Sequence, residues 1–205
     1  IPMEVMRQGD VFESLRKLQN EGKIRHFGAS VESMDEALLC VAQPGLASLQ
    51  IIFNIFRQKP IEALFPQAKE KGVAIVVRLP LASGLLSGKF TKDTKFGLKD
   101  HRNFNRDGQQ FNVGETFSGI PFEKGVELAK GIEAFVPQGW SMVQLAQRWI
   151  LDYPAVSVII PGATSLEQAK QNASASDLPP LSPDLHQQLE DYYRSEVEPF
   201  IRGPY

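Results

Sequence analysis

Apolar Val11, Leu15 and Leu18 recur at spacings of four and three through "DVFESLRKLQNEGK", the stripe of an amphipathic helix. Asp10 and Glu13 stand in capping-box positions at its start, and Gly22 stands where it would stop. Directly behind it "IRHFGAS" reads as a short strand, and "ESMDEALLCVAQ" as a helix in which Ser33 and Glu36 repeat the capping box. "SLQIIF" is a second strand, "IEALFPQAKEKG" a helix that Pro66 bends or restarts, and "VAIVV" a strand whose unbroken apolar run predicts burial on both faces. An irregular stretch then runs from about Leu79 to Pro121. Beyond it come the helices "FEKGVELAKGIEAF" and "SMVQLAQRWILDY", the strand "VSVII", the helix "LEQAKQNAS" and a last helix "SPDLHQQLEDYYRSE", with Pro183 in its first turn.

Strands alternating with helices predict a parallel sheet covered by helices, either an open doubly wound sheet or a closed barrel. Four strands are visible, over 24–29, 48–53, 73–77 and 156–160. A barrel of this class needs eight, and an open four-stranded sheet would leave bare edges that nothing in its outer strands blunts. The missing half is the structural question that the pattern poses.

Composition narrows the function classes. The 205 residues are 42% hydrophobic and 22% charged, with a formal net charge of -2, the balance of a globular chain able to bury a core. Without a basic excess or a block of like charge, no nucleic-acid partner is expected, and small-molecule chemistry becomes the better expectation. No apolar run reaches the roughly 20 residues of a membrane span, and no signal peptide is recognisable, so no membrane partner and a soluble, cytoplasmic protein are expected. Cys40, the only cysteine, sits in "ALLCVA" and reads as a small buried hydrophobe of a reducing compartment. No His/Cys cluster or pair of carboxylates has recognisable metal-ligand spacing. His26 reads as a structural strand residue, and His101 and His186 as loop and helix-surface residues. The chain opens "IPMEVMRQGD", without Met, and is expected to be a piece of something longer.

Each strand ends in something polar or small: Gly28 and Ser30, then Phe53 and Asn54 with Gln50 inside the strand, then Arg78 and Pro80, then Gly162 and Thr164. In parallel α/β folds ligands bind at these carboxyl ends. The loop "RLPLASGLLSGKF" adds Ser83, Gly84, Ser87, Gly88 and Lys89. Its glycines let backbone N–H groups approach an anion, and its lysine adds a point charge, which suits a phosphate or pyrophosphate. A glycine-rich surface loop with Lys89 in solvent accounts for the same residues. After the fourth strand, Pro161-Gly162 turns into a helix capped by Ser165 and Gln168, whose free N–H groups favour a phosphate. Gln171 and Asn172 lie on the same helical face as Gln168 and suit a heterocycle, although a helix cap with solvated amides looks the same.

"EGKIRHFGAS", "PLASGLLSGKF" and "IPGATSLEQAKQNASA" resemble, in order, the fifth-strand, seventh-strand and eighth-strand cofactor segments of the aldo-keto reductases. The resemblance implies an α/β fold, a (β/α)8 TIM barrel of which this chain carries the last four β/α units, with residues 1–205 forming the C-terminal portion of one barrel domain. It implies an NADP(H) cofactor, with NAD(H) second, and hydride transfer to a small-molecule carbonyl substrate. Ser30 and Gln50 would hold the nicotinamide carboxamide, and Arg78 would lie against the ring. Leu79, Pro80, Leu81, Ala82, Ser83 and Gly84, with Ser87, Gly88 and Lys89, would wrap the pyrophosphate. Gly162, Thr164 and Gln168 would meet the 2′-phosphate, while Gln171 and Asn172 would face adenine.

The chain departs from the family pattern in four places. Val31 stands where many members have Asn, Arg78 where many stack an aromatic ring, and Gly162 and Gln168 where many place basic residues. The family's catalytic Tyr, Lys, Asp and His come from the first four strands, so no catalytic residue is assigned here and this chain alone is expected to be inactive. The missing N-terminal half, in cis or as another chain, is the expected partner. A non-catalytic cofactor-binding regulatory subunit, as potassium-channel β subunits resemble reductases, or a self-associating half barrel is the alternative. The substrate is not legible. Phe104, Phe111 and Phe117 either frame an apolar mouth or pack their loop down, and Asn103, Arg106 and Gln109 between them leave its polarity open.

Overall fold

The computed structural model describes residues 1–205. Helices α1 (Met3–Gln8) and α2 (Asp10–Asn20) lead into strand β1 (Phe27–Ser30), followed by α3 (Met34–Val41) and β2 (Leu46–Ile52). Two short helices, α4 (Pro60–Ala63) and α5 (Phe65–Lys71), precede β3 (Ala74–Arg78). The long connection after β3 holds one short α-helix, α6 (His101–Phe104), and several 3-10 turns. Then come α7 (Phe122–Ile132), α8 (Met142–Leu151), β4 (Val156–Ile159), α9 (Leu166–Ser174) and α10 (Pro183–Tyr192).

All four strands are parallel and lie side by side in chain order, β1-β2-β3-β4. A doubly wound sheet reverses its order at a switch point, whereas unbroken sequential order is that of an arc of a β/α barrel. Of the two architectures that the alternation allowed, the sheet order therefore selects part of a barrel.

The two faces of the sheet differ sharply. Leu49, Ile51, Ile75 and Val77 are at most 1% exposed, packed under the covering helices. Phe53, just past β2, packs against Phe65 (centroids 4.8 Å apart) and Trp149 (4.9 Å), tying α5 and α8 to the sheet with aromatic contacts. On the opposite face the register aligns Ser30, Gln50, Val76 and Val158 in one row, and Val158 is 44% exposed. β3 thus alternates buried and half-buried positions rather than being buried on both faces as its apolar run predicted. Its inner side chains have no opposing layer within this chain.

Local chemistry accounts for most boundaries. Ser33 and Glu36 form the expected capping box on α3, and the Ser165 hydroxyl accepts the Gln168 N–H on α9 at 3.2 Å. Pro183 opens α10, and Pro66 lies in the first turn of α5, so that the helix restarts after Leu64. The expected box on α2 does not form: Gly9, at φ 87°, both closes α1 and serves as N-cap of α2, which moves Asp10 inside the helix. Because β1 begins at Phe27, His26 lies outside the strand and is exposed. Phe117 is fully buried against Phe96 and Phe122, while Phe104 and Phe111 pair edge to face at 6.1 Å and stay partly exposed, so the three rings do not frame one mouth.

Candidate functional site

The carboxyl ends of the four strands carry the polar residues of the sheet's open face. Ser30, the last residue of β1, is the register partner of Gln50 in β2, and neither side chain has a hydrogen-bond partner within the chain. Two adjacent free polar groups on an otherwise apolar surface are available to a ligand. The Gln50 carbonyl accepts the Val31 N–H at 3.0 Å, which fixes the backbone on which both side chains stand.

Arg78, the last residue of β3, reaches across the end of β2. Its Nη2 donates to the Val31 carbonyl at 2.9 Å, and its Nη1 forms an ion pair with Glu115 from the long connection. The two side chains are 14% and 22% exposed, so solvent screens the pair little. The Nε–H of Arg78 is buried without an acceptor, a donor left over for a bound group.

The glycine-rich loop after β3 is held in an unusual backbone conformation. Five non-glycine residues have positive φ, and all lie in two segments: Leu79, Ala82 and Ser83 in this loop, and Phe117 and Ser118 in the long connection. Such conformations cost of order 1 kcal/mol or more each and persist where surroundings over-determine them. Two side chains do so here. Ser83 Oγ accepts the Phe117 N–H at 3.0 Å and donates to the Glu115 carbonyl at 3.2 Å. The amide of Asn54, fully buried, donates to the Leu79 carbonyl at 2.9 Å and the Ser118 hydroxyl at 3.0 Å. From the sequence Asn54 stood out only as a polar strand end, and Ser118 and Glu115 did not stand out at all, because their partners lie 25 to 64 positions away. Farther along the loop, the Ser87 hydroxyl donates to the Gly84 carbonyl at 2.7 Å, and the Lys89 N–H donates back to that hydroxyl at 3.3 Å. Gly88 is exposed at φ 69°, and Lys89 is exposed and forms no ion pair, so its charge is free for an anion. Pro80, Ala82 and the remainder of the turn are buried or half-buried beneath it, with the Leu81 carbonyl accepting from Gly84 and Leu86.

At the end of β4 a second anion-compatible element stands exposed. Leu166 and Glu167 open α9 with amides that have no intrahelical acceptor. Gln168 turns back so that its Oε1 accepts both the N–H (2.7 Å) and the hydroxyl (2.9 Å) of Thr164. The donor half of the Gln168 amide has no partner within the chain, and both Gln168 and Gly162 are exposed. Gln171 donates to Glu167 at 3.0 Å on the same helix. Asn172 is held from both sides: its Nδ2 donates to the Gly162 carbonyl at 3.3 Å, and its Oδ1 accepts from the buried Gln147 of α8 at 2.7 Å. Free N–H groups and an unpaired lysine suit a phosphate-bearing ligand, and the acidic residues among the strand-end groups are each engaged: Glu115 by Arg78, Glu32 by Asn112 and Glu167 by Gln171.

These motifs and this sheet carry a decided likeness. The profile of the aldo/keto reductase family matches residues 2–194. The chain belongs to this family. Among curated relatives, it is 31% identical over 151 residues to an aldo-keto reductase, YhdN, of Bacillus subtilis, covering 74% of this chain and 44% of that protein. It is 24% identical over 188 residues to an oxidoreductase of the same organism, YqkF, covering 92% and 56%, and 29% identical to a probable voltage-gated potassium channel β subunit of Oryza sativa, covering 70% and 43%. Among solved structures, the glycerol dehydrogenase AKR11B4 of Gluconobacter oxydans superimposes with a TM-score of 0.69 at 25% identity, covering 93% of this chain and 55% of that one. The holo form of the aldo-keto reductase AKR11C1 of Bacillus halodurans shares the fold, with a TM-score of 0.65. The chain thus spans about half the length of the relatives it matches.

None of its tyrosine hydroxyls is free at the strand ends. Tyr153 precedes β4, at the amino end of the sheet, and burial pushes its phenol well above the ordinary range. Tyr192 donates to the Leu128 carbonyl at 2.9 Å. Tyr193 and Tyr205 share a hydrogen bond of 2.6 Å, and burial holds the Tyr205 phenol up at about 12.

Proposed function

We propose that this chain is the cofactor-binding, C-terminal half of an NADP(H)-dependent carbonyl reductase, the last four β/α units of an eight-stranded barrel. The observation that carries the reading is the in-register pair Ser30 and Gln50, both without partners, beside the buried free Nε–H of Arg78. A nicotinamide carboxamide offers the carbonyl and NH2 group that a hydroxyl and an amide satisfy together. Fixing that group fixes which ring face is presented. Residues 79–84 with Ser87, Gly88 and Lys89 then wrap the pyrophosphate, and the α9 amides with Gly162, Thr164 and Gln168 take the 2′-phosphate. Gln171 and Asn172 face adenine. Glutamine in place of a cation leaves NADP(H) ahead of NAD(H) by hydrogen bonding alone.

When bound, the reduced nicotinamide supplies hydride; the residues of this chain bind it, orient it and keep the phosphates neutralised. The proton for the alkoxide comes from an acid in the complementary N-terminal half, in cis or on another chain, since no tyrosine here is placed for the task. The protein is read as cytoplasmic, acting on a small carbonyl compound. The decisive experiment is NADPH oxidation by the whole protein with an aldehyde panel, with NADPH affinity measured alongside. Changing Lys89 and Gln168 together is expected to abolish NADPH binding, and unchanged binding refutes the placement.

The similarity to a channel β subunit supports a second reading, a cofactor-binding regulatory subunit. Tight NADPH binding with no turnover of any carbonyl would favour it.

A further inference from the structure

We infer that Glu115 is a specificity-determining residue that sets the balance between oxidised and reduced nicotinamide at this site. The inference rests on the placement of Arg78 against the nicotinamide ring proposed above. The oxidised ring carries one positive charge and the reduced ring none. A lone guanidinium beside it would therefore repel one form of the cofactor and not the other.

The structure pairs that guanidinium. Glu115 arrives from the connection between β3 and α7, 37 residues away in sequence, and meets Arg78 in a poorly solvated ion pair. Its backbone is fixed independently of the pair. The Glu115 carbonyl accepts from Ser83, and its N–H donates to the Asn112 carbonyl at 3.0 Å. Asn112 in turn donates to Glu32, just beyond β1, at 2.7 Å. The carboxylate is thus presented at the strand ends by contacts to both flanking loops.

The charges nearby make this carboxylate the critical one. Arg57, 1% exposed, is a second guanidinium that feels both Glu115 and Arg78, and burial pulls its pKa below the ordinary range. Its Nη2 donates to the Pro204 carbonyl at 2.6 Å, so no carboxylate pairs with it directly. Lys59 lies beyond it, against Tyr205, and Glu32 is spent on Asn112 at the exposed rim. One buried and one largely buried guanidinium neighbour a single largely buried carboxylate, and removing that carboxylate leaves positive charge uncompensated where the ring would sit. At low effective dielectric such a charge discriminates strongly between a cationic and a neutral ligand.

The test is the ratio of NADP+ to NADPH dissociation constants, measured by calorimetry on the whole protein carrying these residues. Glu115→Gln is expected to raise the ratio at least about tenfold by weakening NADP+ selectively. Glu115→Asp, which keeps the charge, is expected to hold the ratio near that of the parent. Arg78→Met combined with Glu115→Gln is expected to bring the ratio back. A purely structural role would weaken both forms equally, so an unchanged ratio in Glu115→Gln with both forms still bound overturns the inference and leaves the cofactor assignment standing. Failure of the parent protein to bind either form overturns the cofactor assignment, and this inference with it.

Discussion

The Ser83 hydroxyl accepts the N–H of Phe117 at 3.0 Å, joining two residues that both hold positive φ, 56° and 53°. One hydroxyl thus fastens the turn after β3 to the long connection 34 residues later. Ser83→Ala leaves a buried N–H without an acceptor, at a cost of about 1–3 kcal/mol. Ser83→Gly loses the same bond but relieves the left-handed backbone, so it is expected to cost less than alanine. Urea unfolding of both variants checks the order, and faster hydrogen exchange at the Phe117 amide should accompany each.

Asn54 is the companion tie, and its amide uses both ends: Nδ2 donates to Leu79 and Ser118, and Oδ1 accepts the Phe56 N–H at 2.9 Å. Asn54→Asp is nearly isosteric but turns a donor into an acceptor facing the Leu79 carbonyl. An unpaired buried carboxylate is expected to cost about 3–5 kcal/mol at neutral pH. The new carboxyl's pKa would be raised in the folded state, so the deficit should be small below the unfolded carboxylate pKa of about 4 and grow as pH rises. A deficit independent of pH would show that the loss comes from packing and not from charge.

The contrast between what these two ties do and what the chain advertises marks the limit of reading by pattern. Strand and helix order, the box at Ser33 and Glu36, the cap at Ser165 and the helix start at Pro183 are local, and each was legible within a few residues. The box at Asp10 failed because Gly9, one residue earlier, could take the left-handed conformation that closes one helix and opens the next. The apolar run in β3 suggested two buried faces, but hydropathy reports what a residue tolerates, and the inner face has no partner layer in this chain. At the site, Ser30, Gln50, Arg78 and the glycine-rich loop were visible because strand ends concentrate polar residues. Glu115 and Gln147 were not, and Asn54 was visible only as a polar strand end and not as a buried tie, since nothing local distinguishes a polar residue in a loop or on a helix from one buried by a distant segment. Gln147 lies among apolar neighbours in "QLAQRWIL", the one faint signal of a buried amide.

Asp100 caps α6 by accepting the Arg102 N–H at 2.9 Å and also takes a two-pronged ion pair from the Arg102 side chain. The Arg102 hydrogen bonds hold its carboxyl down at about 2, below its ordinary 3.8. A depressed folded-state pKa means stability that is full above the unfolded value and lost as pH falls through the folded one, here between about 4 and 2. Because the group is partly solvated, Asp100→Asn is expected to cost only about 1 kcal/mol at pH 7, and to lose that difference from the parent near pH 2. Thermal melts across this range check both statements. A deficit that persisted at pH 2 would assign the effect to the cap and not to the charge.

Gln147 offers the sharpest separation of binding from stability. It is fully buried on α8, its Nε2 donates to Asn172 at 2.7 Å, and its own Oε1 has no partner. Replacing a half-satisfied buried amide by an apolar side chain of similar size removes an unmet desolvation cost together with one hydrogen bond, so Gln147→Leu is expected to change stability by less than about 1 kcal/mol. Asn172 then loses the contact that fixes its Oδ1, and its amide is free to turn about the remaining bond to Gly162. If Asn172 meets adenine, affinity for 2′,5′-ADP and for NADPH should fall together by about threefold or more, the loss of one oriented hydrogen bond. Nicotinamide mononucleotide, which lacks the adenosine half, should bind as before. Calorimetry with the three ligands reads the pattern directly. Equal loss for all three would point to a general loosening of the barrel arc, and no loss for 2′,5′-ADP would remove Asn172 from the adenosine subsite.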